Sequence, residues 1–202
     1  MNLRTIAAVL STVLAIYACI PYAISIVKGR TKPHQLSFLV FTIMSGISAV
    51  SQLLAGGRGS VLISFVFFFG SGSSLALSFK YGIRESSRYD KLLFGLALTT
   101  IVVWYLTKSN DIAIWLTALI DVFATTMIIL KIRAQPHTEA PYPWFVATLA
   151  YIFTCLTIFG KPLSILYVRP IYGFLSEAAV LAAILVFRKK SVQKTTITPA
   201  EN

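Results

Sequence analysis

The sequence predicts an all-α polytopic membrane protein of seven transmembrane helices, arranged as two parallel three-helix repeats joined by a linker helix. Composition is the first observation behind this. Apolar residues make up 56% of the 202 residues and charged ones 12%, against roughly 25% charged in ordinary globular domains. Mean hydropathy is +0.77. The second is segregation: charges gather in short basic clusters separated by long apolar runs. The third is an internal repeat. Lys28-Gly-Arg30-Thr-Lys-Pro33-His34 returns as Lys131-Ile-Arg133-Ala-Gln-Pro136-His137, an offset of 103 residues. The same offset pairs Ile26 with Ile129, Gly57 with Gly160, Arg58 with Lys161, Gly70 with Gly173 and Ser73 with Ser176. A chain that repeats itself over this span is built from two copies of one unit.

A helix crossing a bilayer needs about 20 mostly apolar residues. Seven runs meet or approach that length: 5–27, 36–54, 60–79, 92–106, 112–130, 144–159 and 163–187, the fourth and sixth being short. The first resembles a signal peptide, and Ile16-Tyr-Ala-Cys19 faintly resembles a lipoprotein cleavage box. Its apolar run continues past Cys19, longer than a signal core, and the second repeat keeps the matching helix, so it is read as a retained span. Runs 5–80 and 112–187 form the repeats. Each has an odd number of spans, so the unpaired run 92–106 restores a common orientation, and no chemistry is expected of it. Residues 191–202 read as a disordered cytoplasmic tail. Duplicated units related by an axis along the membrane normal commonly enclose a site near the midplane.

With seven alternating spans, one side carries Arg4, Arg58, Lys108 and Lys161. The other carries Lys28, Arg30, Lys32, Lys80, Arg84, Arg88, Lys91, Lys131, Arg133, Arg188, Lys189, Lys190 and Lys194. Thirteen against four places the N-terminus outside and the C-terminus in the cytoplasm, in a plasma (inner) membrane. The net charge of +11 is therefore read as topology and not as a nucleic-acid surface. Lipids and a small-molecule solute are the expected partners, and self-association into a homo-oligomer stays open. Tyr17, Trp104, Tyr105, Tyr142 and Trp144 fall near span ends and read as interfacial anchors.

The 3+1+3 pattern, an outside N-terminus and a basic proline-containing loop after the first helix of each unit resemble the SWEET and PQ-loop transporter superfamily over residues 5–187. Family members tend to carry a Pro-Gln pair near the inner end of that helix. Here Pro21 is followed by Tyr22, and the matching residues are Ala124 and Thr125. The signature is thus half present in one repeat and absent from the other. The resemblance implies a transporter working by alternating access. It does not carry over a substrate.

Ionisable residues at bilayer depth are costly and usually face the bundle interior. Asp121, Arg169 and Glu177 are three such residues. Asp121 and Glu177 fall near the midplane and are expected either to bind a polar or cationic solute, to take up a proton, or to make a structural pair with Arg169 or a hydroxyl. Arg169 and Glu177 are eight residues apart, about 12 Å of helix rise, too far to pair with each other. Thr125, one turn from Asp121, is expected to orient it. Gly70-Ser71-Gly72-Ser73-Ser74 and Gly173 with Ser176 read either as close-packing surfaces or as a cavity wall, with Ser71, Ser73, Ser74 and Ser176 as solute contacts. Against the 103-residue ruler, Asp121 stands opposite Ala18 and Glu177 opposite Ser74.

Pro21 and Pro170 are expected to kink their helices; the family resemblance implies gating points there, and an ordinary static kink is the alternative. His34 and His137 follow loop prolines and read as helix-start punctuation, without the Cys or His neighbours a metal site needs. Cys19 and Cys155 read as buried thiols. H-E-x-x-H and G-x-S-x-G are both absent, so no enzyme and no cofactor are expected. The competing class is a non-transporting receptor or scaffold that binds a partner at its cytoplasmic basic loops.

Overall fold

A computed structural model describes residues 2–56, 59–83, 88–158 and 165–197. Gly57, Arg58, Arg84, Gly160 and Lys161 lie outside the described residues. The described chain forms seven α-helices: α1 (Leu3–Val27), α2 (Gln35–Leu54), α3 (Gly59–Tyr81), α4 (Arg88–Thr107), α5 (Asn110–Ala134), α6 (Pro141–Ile158) and α7 (Val168–Ile197). A short 3₁₀ turn, Ile165–Tyr167, leads into α7. Six of these helices are long and apolar enough to cross a membrane; the apolar part of α4, Phe94–Thr107, is shorter. The chain is thus an all-α polytopic protein. One expectation fails at its end: α7 continues as helix through Ile197, well into the segment expected to be a disordered tail. Residues 198–202 lie outside the described residues.

Local chemistry sets the helix ends. The Asn2 side chain accepts the Arg4 N–H at 2.8 Å and starts α1. The His34 ring accepts the Ser37 N–H and starts α2, as its position after Pro33 suggested. His137 differs: its Nε2 meets Ser191 Oγ at 3.1 Å, and α6 begins only at Pro141, a residue suited to the first helical position. Gly29 ends α1. At φ +69° its N–H donates to Ile26 O, while the Arg30 N–H donates to Ser25 O, the paired bonds of a Schellman stop. In the second repeat Ile132 replaces Gly29 and does not tolerate that conformation. So α5 runs on to Ala134, which leaves Lys131 within the helix.

Helix α1 is apolar outward and mostly small or hydroxylic inward, whereas α2, α5 and α7 also bury large apolar residues such as Val40, Met44, Ile120, Ile128 and Ile184. On α1 the buried stripe is Ala7, Ser11, Ala15, Ala18, Tyr22 and Ser25, while Val9, Val13, Ile16, Ile20 and Ile24 are exposed. This reverses the pattern of a soluble helix and suits a surface solvated by lipid, where small residues let backbones approach.

The principal neighbours run in a closed ring, α1–α3–α2–α5–α7–α6 and back to α1. Exchanging α1, α2 and α3 for α5, α6 and α7 leaves that ring unchanged. Two features break the exchange. Helix α4 lies outside the ring against α2 and α5, and a lesser contact joins α3 to α6. The latter has a local cause: Phe67 stacks on Tyr151 with ring centroids 5.2 Å apart, whereas the repeat mates Pro170 and Ser48 have no aromatic rings to stack.

One end of the bundle gathers the repeated loops. The Lys32 N–H donates to Thr138 O at 3.2 Å, Lys131 Nζ donates to Lys32 O at 2.6 Å, and the Ile83 N–H donates to Pro33 O at 2.9 Å. Arg188 on α7 donates to Pro136 O and Glu139 O at 3.1 and 2.6 Å. The last turns of α1, α3 and α5 and the first turns of α2 and α6 therefore share this end, together with Lys28, Arg30, Lys32, Lys131, Arg133 and Arg188.

Candidate functional site

All six ring helices turn one face toward a central cavity of about 110 Å³. A single water needs roughly 10–15 Å³ of such space, so there is room for a small solute. The first three helices supply residues at helical spacing: Ala18, Cys19 and Tyr22 from α1; Phe38, Phe41 and Ser45 from α2; Phe67, Gly70, Ser71 and Ser74 from α3. From the other half come Asp121 of α5, Pro143, Trp144, Ala147 and Tyr151 of α6, and Arg169, Gly173, Ser176 and Glu177 of α7. Four pairs of repeat mates line it together: Ala18 with Asp121, Phe41 with Trp144, Gly70 with Gly173, and Ser74 with Glu177. The cavity thus belongs to both halves, and Asp121 and Glu177 both face it, as does Arg169, which stands opposite Val66.

The carboxylates have different surroundings. Asp121 Oδ2 accepts Arg169 Nη1 at 2.5 Å, and both side chains are nearly sealed from solvent. The guanidinium also lies over the Tyr151 ring, 6.0 Å from its centroid. Asp121 on α5 is therefore neutralised by a partner on the packed helix α7. Glu177, two turns further along α7, lines the cavity with no hydrogen bond or ion pair to any described residue.

Gly70 and Gly173 make the wall close-packed. A methyl group added at Gly70 would run into Cys19 Sγ, and one added at Gly173 would run into the Tyr151 ring. Both readings of the small-residue segments therefore apply at once: they allow close packing, and they line the cavity.

Several expected contacts fall elsewhere. Ser71, Ser74 and Ser176 line the cavity, but Ser73 is exposed on the other side of α3 and bonds only to Gly70 O. The helical phase explains it, since Ser73 lies about 100° from Ser74 and 200° from Ser71. Thr125 does not orient Asp121. Its hydroxyl meets Ser176 Oγ at 2.7 Å and Tyr172 Oη at 3.3 Å, tying α5 to α7 behind the wall. Pro21 lies inside α1, directly before the cavity residue Tyr22. Pro170 is third in α7, in the first turn, where a missing N–H breaks no helical bond and no kink follows. Trp144 is a cavity wall and not an interfacial anchor, whereas Tyr142 is exposed and meets Tyr17 Oη at 3.1 Å.

A residue that sequence reasoning missed closes the end nearest the basic loops. Glu139 is 1% exposed. It accepts Lys131 Nζ at 2.6 Å, Tyr22 Oη at 3.3 Å and Trp144 Nε1 at 3.4 Å. One carboxylate thus holds α1, α5 and α6 together beneath the cavity, with Tyr22 packed between Phe38 and Trp144 at 5.7 and 6.1 Å. Its repeat mate is Leu36, so the acid is a third break in the symmetry, and laying the loops over one another at 103 residues would have exposed it.

Among the described residues no three His, Cys, Asp or Glu side chains gather as a metal-binding group. Comparison of the chain with protein-family models, with curated proteins and with solved structures yields no match.

Proposed function

We propose that the protein is a membrane transporter that carries a small polar metabolite, sugar-like or amino-acid-like, by alternating access, with the architecture of the SWEET and PQ-loop superfamily. The observation that carries this reading is the cavity shared by the two repeats, lined by four pairs of repeat mates and holding Asp121, Arg169 and Glu177 at the centre of the bundle. Buried charge of this kind marks solute or ion pathways in membrane proteins. A receptor or scaffold has no need of a charged cavity on the repeat interface, which is why transport is preferred. The substrate-binding set becomes Ser71, Ser74, Ser176 and Glu177, with Asp121 and Arg169 as a fixed pair in the wall. Glu177 is the candidate for proton coupling, since Asp121 is already paired. The thirteen-to-four basic bias supports an outside N-terminus in a plasma (inner) membrane, with seven spans including α4.

The test is uptake into proteoliposomes of radiolabelled glucose, alanine and choline, with and without an imposed pH gradient. Flux of at least one probe above empty liposomes is expected, with Glu177→Gln slowing it tenfold or more. No flux of any probe under either condition, with folded protein, would contradict transport. Acceleration by the gradient in wild type but not in Glu177→Gln would assign the coupling site.

A further inference from the structure

We infer that the solute of this cavity is a small organic monocation, an amine or ammonium group held by the Glu177 carboxylate above an aromatic floor. The inference rests on the transport reading and deepens it by naming the substrate class.

The charges of the cavity do not balance. Asp121 and Arg169 cancel in a direct ion pair, and Glu139 and Lys131 cancel in another below the floor. Glu177 remains, without a partner among the described residues. A carboxylate at bilayer depth is costly to leave bare: it is neutralised by the proton of the coupling role or by a counter-charge, and since the described residues supply no cation to it, that counter-charge is one a ligand brings in exchange for the proton. Arg169 is held to Asp121 through Nη1 and keeps its buried Nε–H without an acceptor among the described residues, so an anionic solute would meet the unopposed Glu177 carboxylate and a cation whose charge is already balanced. A neutral polyol would leave that charge uncompensated.

The walls fit the same chemistry. Tyr22, Phe38, Phe41 and Trp144 line the cavity toward the loop end, and ring faces attract ammonium groups, most of all where water is excluded. Glu177 lies between this aromatic floor and the Asp121–Arg169 pair. It is eight residues from Arg169, about 12 Å of rise, and eleven from Arg188 at the loops, about 16 Å. A cation there contacts carboxylate and rings together. The cavity volume admits a head of ethanolamine or choline size rather than a large polyamine.

Binding to purified protein, followed by calorimetry and thermal unfolding, separates this from transport itself. The probes are ethanolamine against ethylene glycol, choline against its neutral analogue 3,3-dimethylbutanol, and sodium chloride as an inorganic cation. Ethanolamine or choline should bind at least tenfold more tightly than its neutral partner. Glu177→Gln should remove that preference and Glu177→Asp should keep most of it. Should Glu177→Gln fail to fold, Glu177→Ser combined with Ser74→Glu moves the charge to the repeat mate and should retain the preference. Equal binding of cation and neutral analogue, cation binding undiminished in Glu177→Gln, or sodium matching the organic cations would each overturn the inference. Glu177-dependent cation binding without flux in liposomes would sink the transport reading and leave the cation site standing. Flux of glucose indifferent to Glu177 would do the reverse.

Discussion

Asp121 and Glu177 look alike in the sequence and differ in the structure because of one guanidinium. Arg169 comes from the first turn of α7 and reaches Asp121 on α5, so the pair cross-links two helices of the second repeat. Removing one partner of a buried pair strands the other charge, at a cost of about 3–5 kcal/mol. Asp121→Ala should therefore lower the unfolding temperature markedly, and adding Arg169→Met should recover most of the loss. If the double variant is no more stable than Asp121→Ala, the pair is not what holds α5 to α7. The sequence showed that these ionisable residues exist and that Arg169 cannot reach Glu177 along one helix. It did not show which acid Arg169 chooses, since that depends on how α5 and α7 rotate against each other. Glu139 escaped notice for a related reason. It lies between two apolar runs and so reads as a solvated loop acid, until the extra turn of α5 brings Lys131 within 2.6 Å.

At the scale of elements, the ring helices other than α5, which gives only Asp121, each show the cavity one face at helical spacing, and that much was legible. Helical phase alone would have separated Ser71 and Ser74 from Ser73. The reach of Thr125 to Ser176 required the packing of α5 on α7. Helix ends were legible where a local device sets them, as at Gly29, and illegible where a helix simply continues, as α7 does to Ile197. The two repeat-mate glycines give a test of how tightly the wall is built. Overpacking a close contact costs about 1–3 kcal/mol. Gly173→Ala should be destabilising by that order, because the Tyr151 ring is stacked on Phe67 and cannot withdraw. Gly70→Ala should cost less and be rescued by Cys19→Ala, whose shortened side chain makes way. Thermal unfolding of the four proteins checks both, and an unrescued Gly70→Ala would mean that the strain lies elsewhere.

For the whole molecule, the 103-residue repeat is what made the architecture readable. The duplicated basic loop marks one end of the bundle, and the ring of helices is unchanged when the halves are exchanged, apart from α4 and the α3–α6 contact. What breaks the symmetry is chemical: among the acids, Asp121 for Ala18, Glu177 for Ser74 and Glu139 for Leu36, with Arg169 for Val66 beside them. The first two charge the cavity, and the third latches one end of it through Tyr22, Trp144 and Lys131. An alternating-access cycle requires that latch to release, so that the cavity opens toward the basic loops only when its other end is shut. Cys19 is a native reporter of this, since it lines the cavity next to Gly70. In a Cys155→Ala background, a membrane-impermeant methanethiosulfonate is applied to oriented vesicles from either face. Cys19 should be modified from both faces, and Glu139→Gln should raise the rate from the basic-loop face several-fold while lowering it from the other. Modification from one face only, or rates that rise together on both faces, would contradict a cavity that opens to each side in turn.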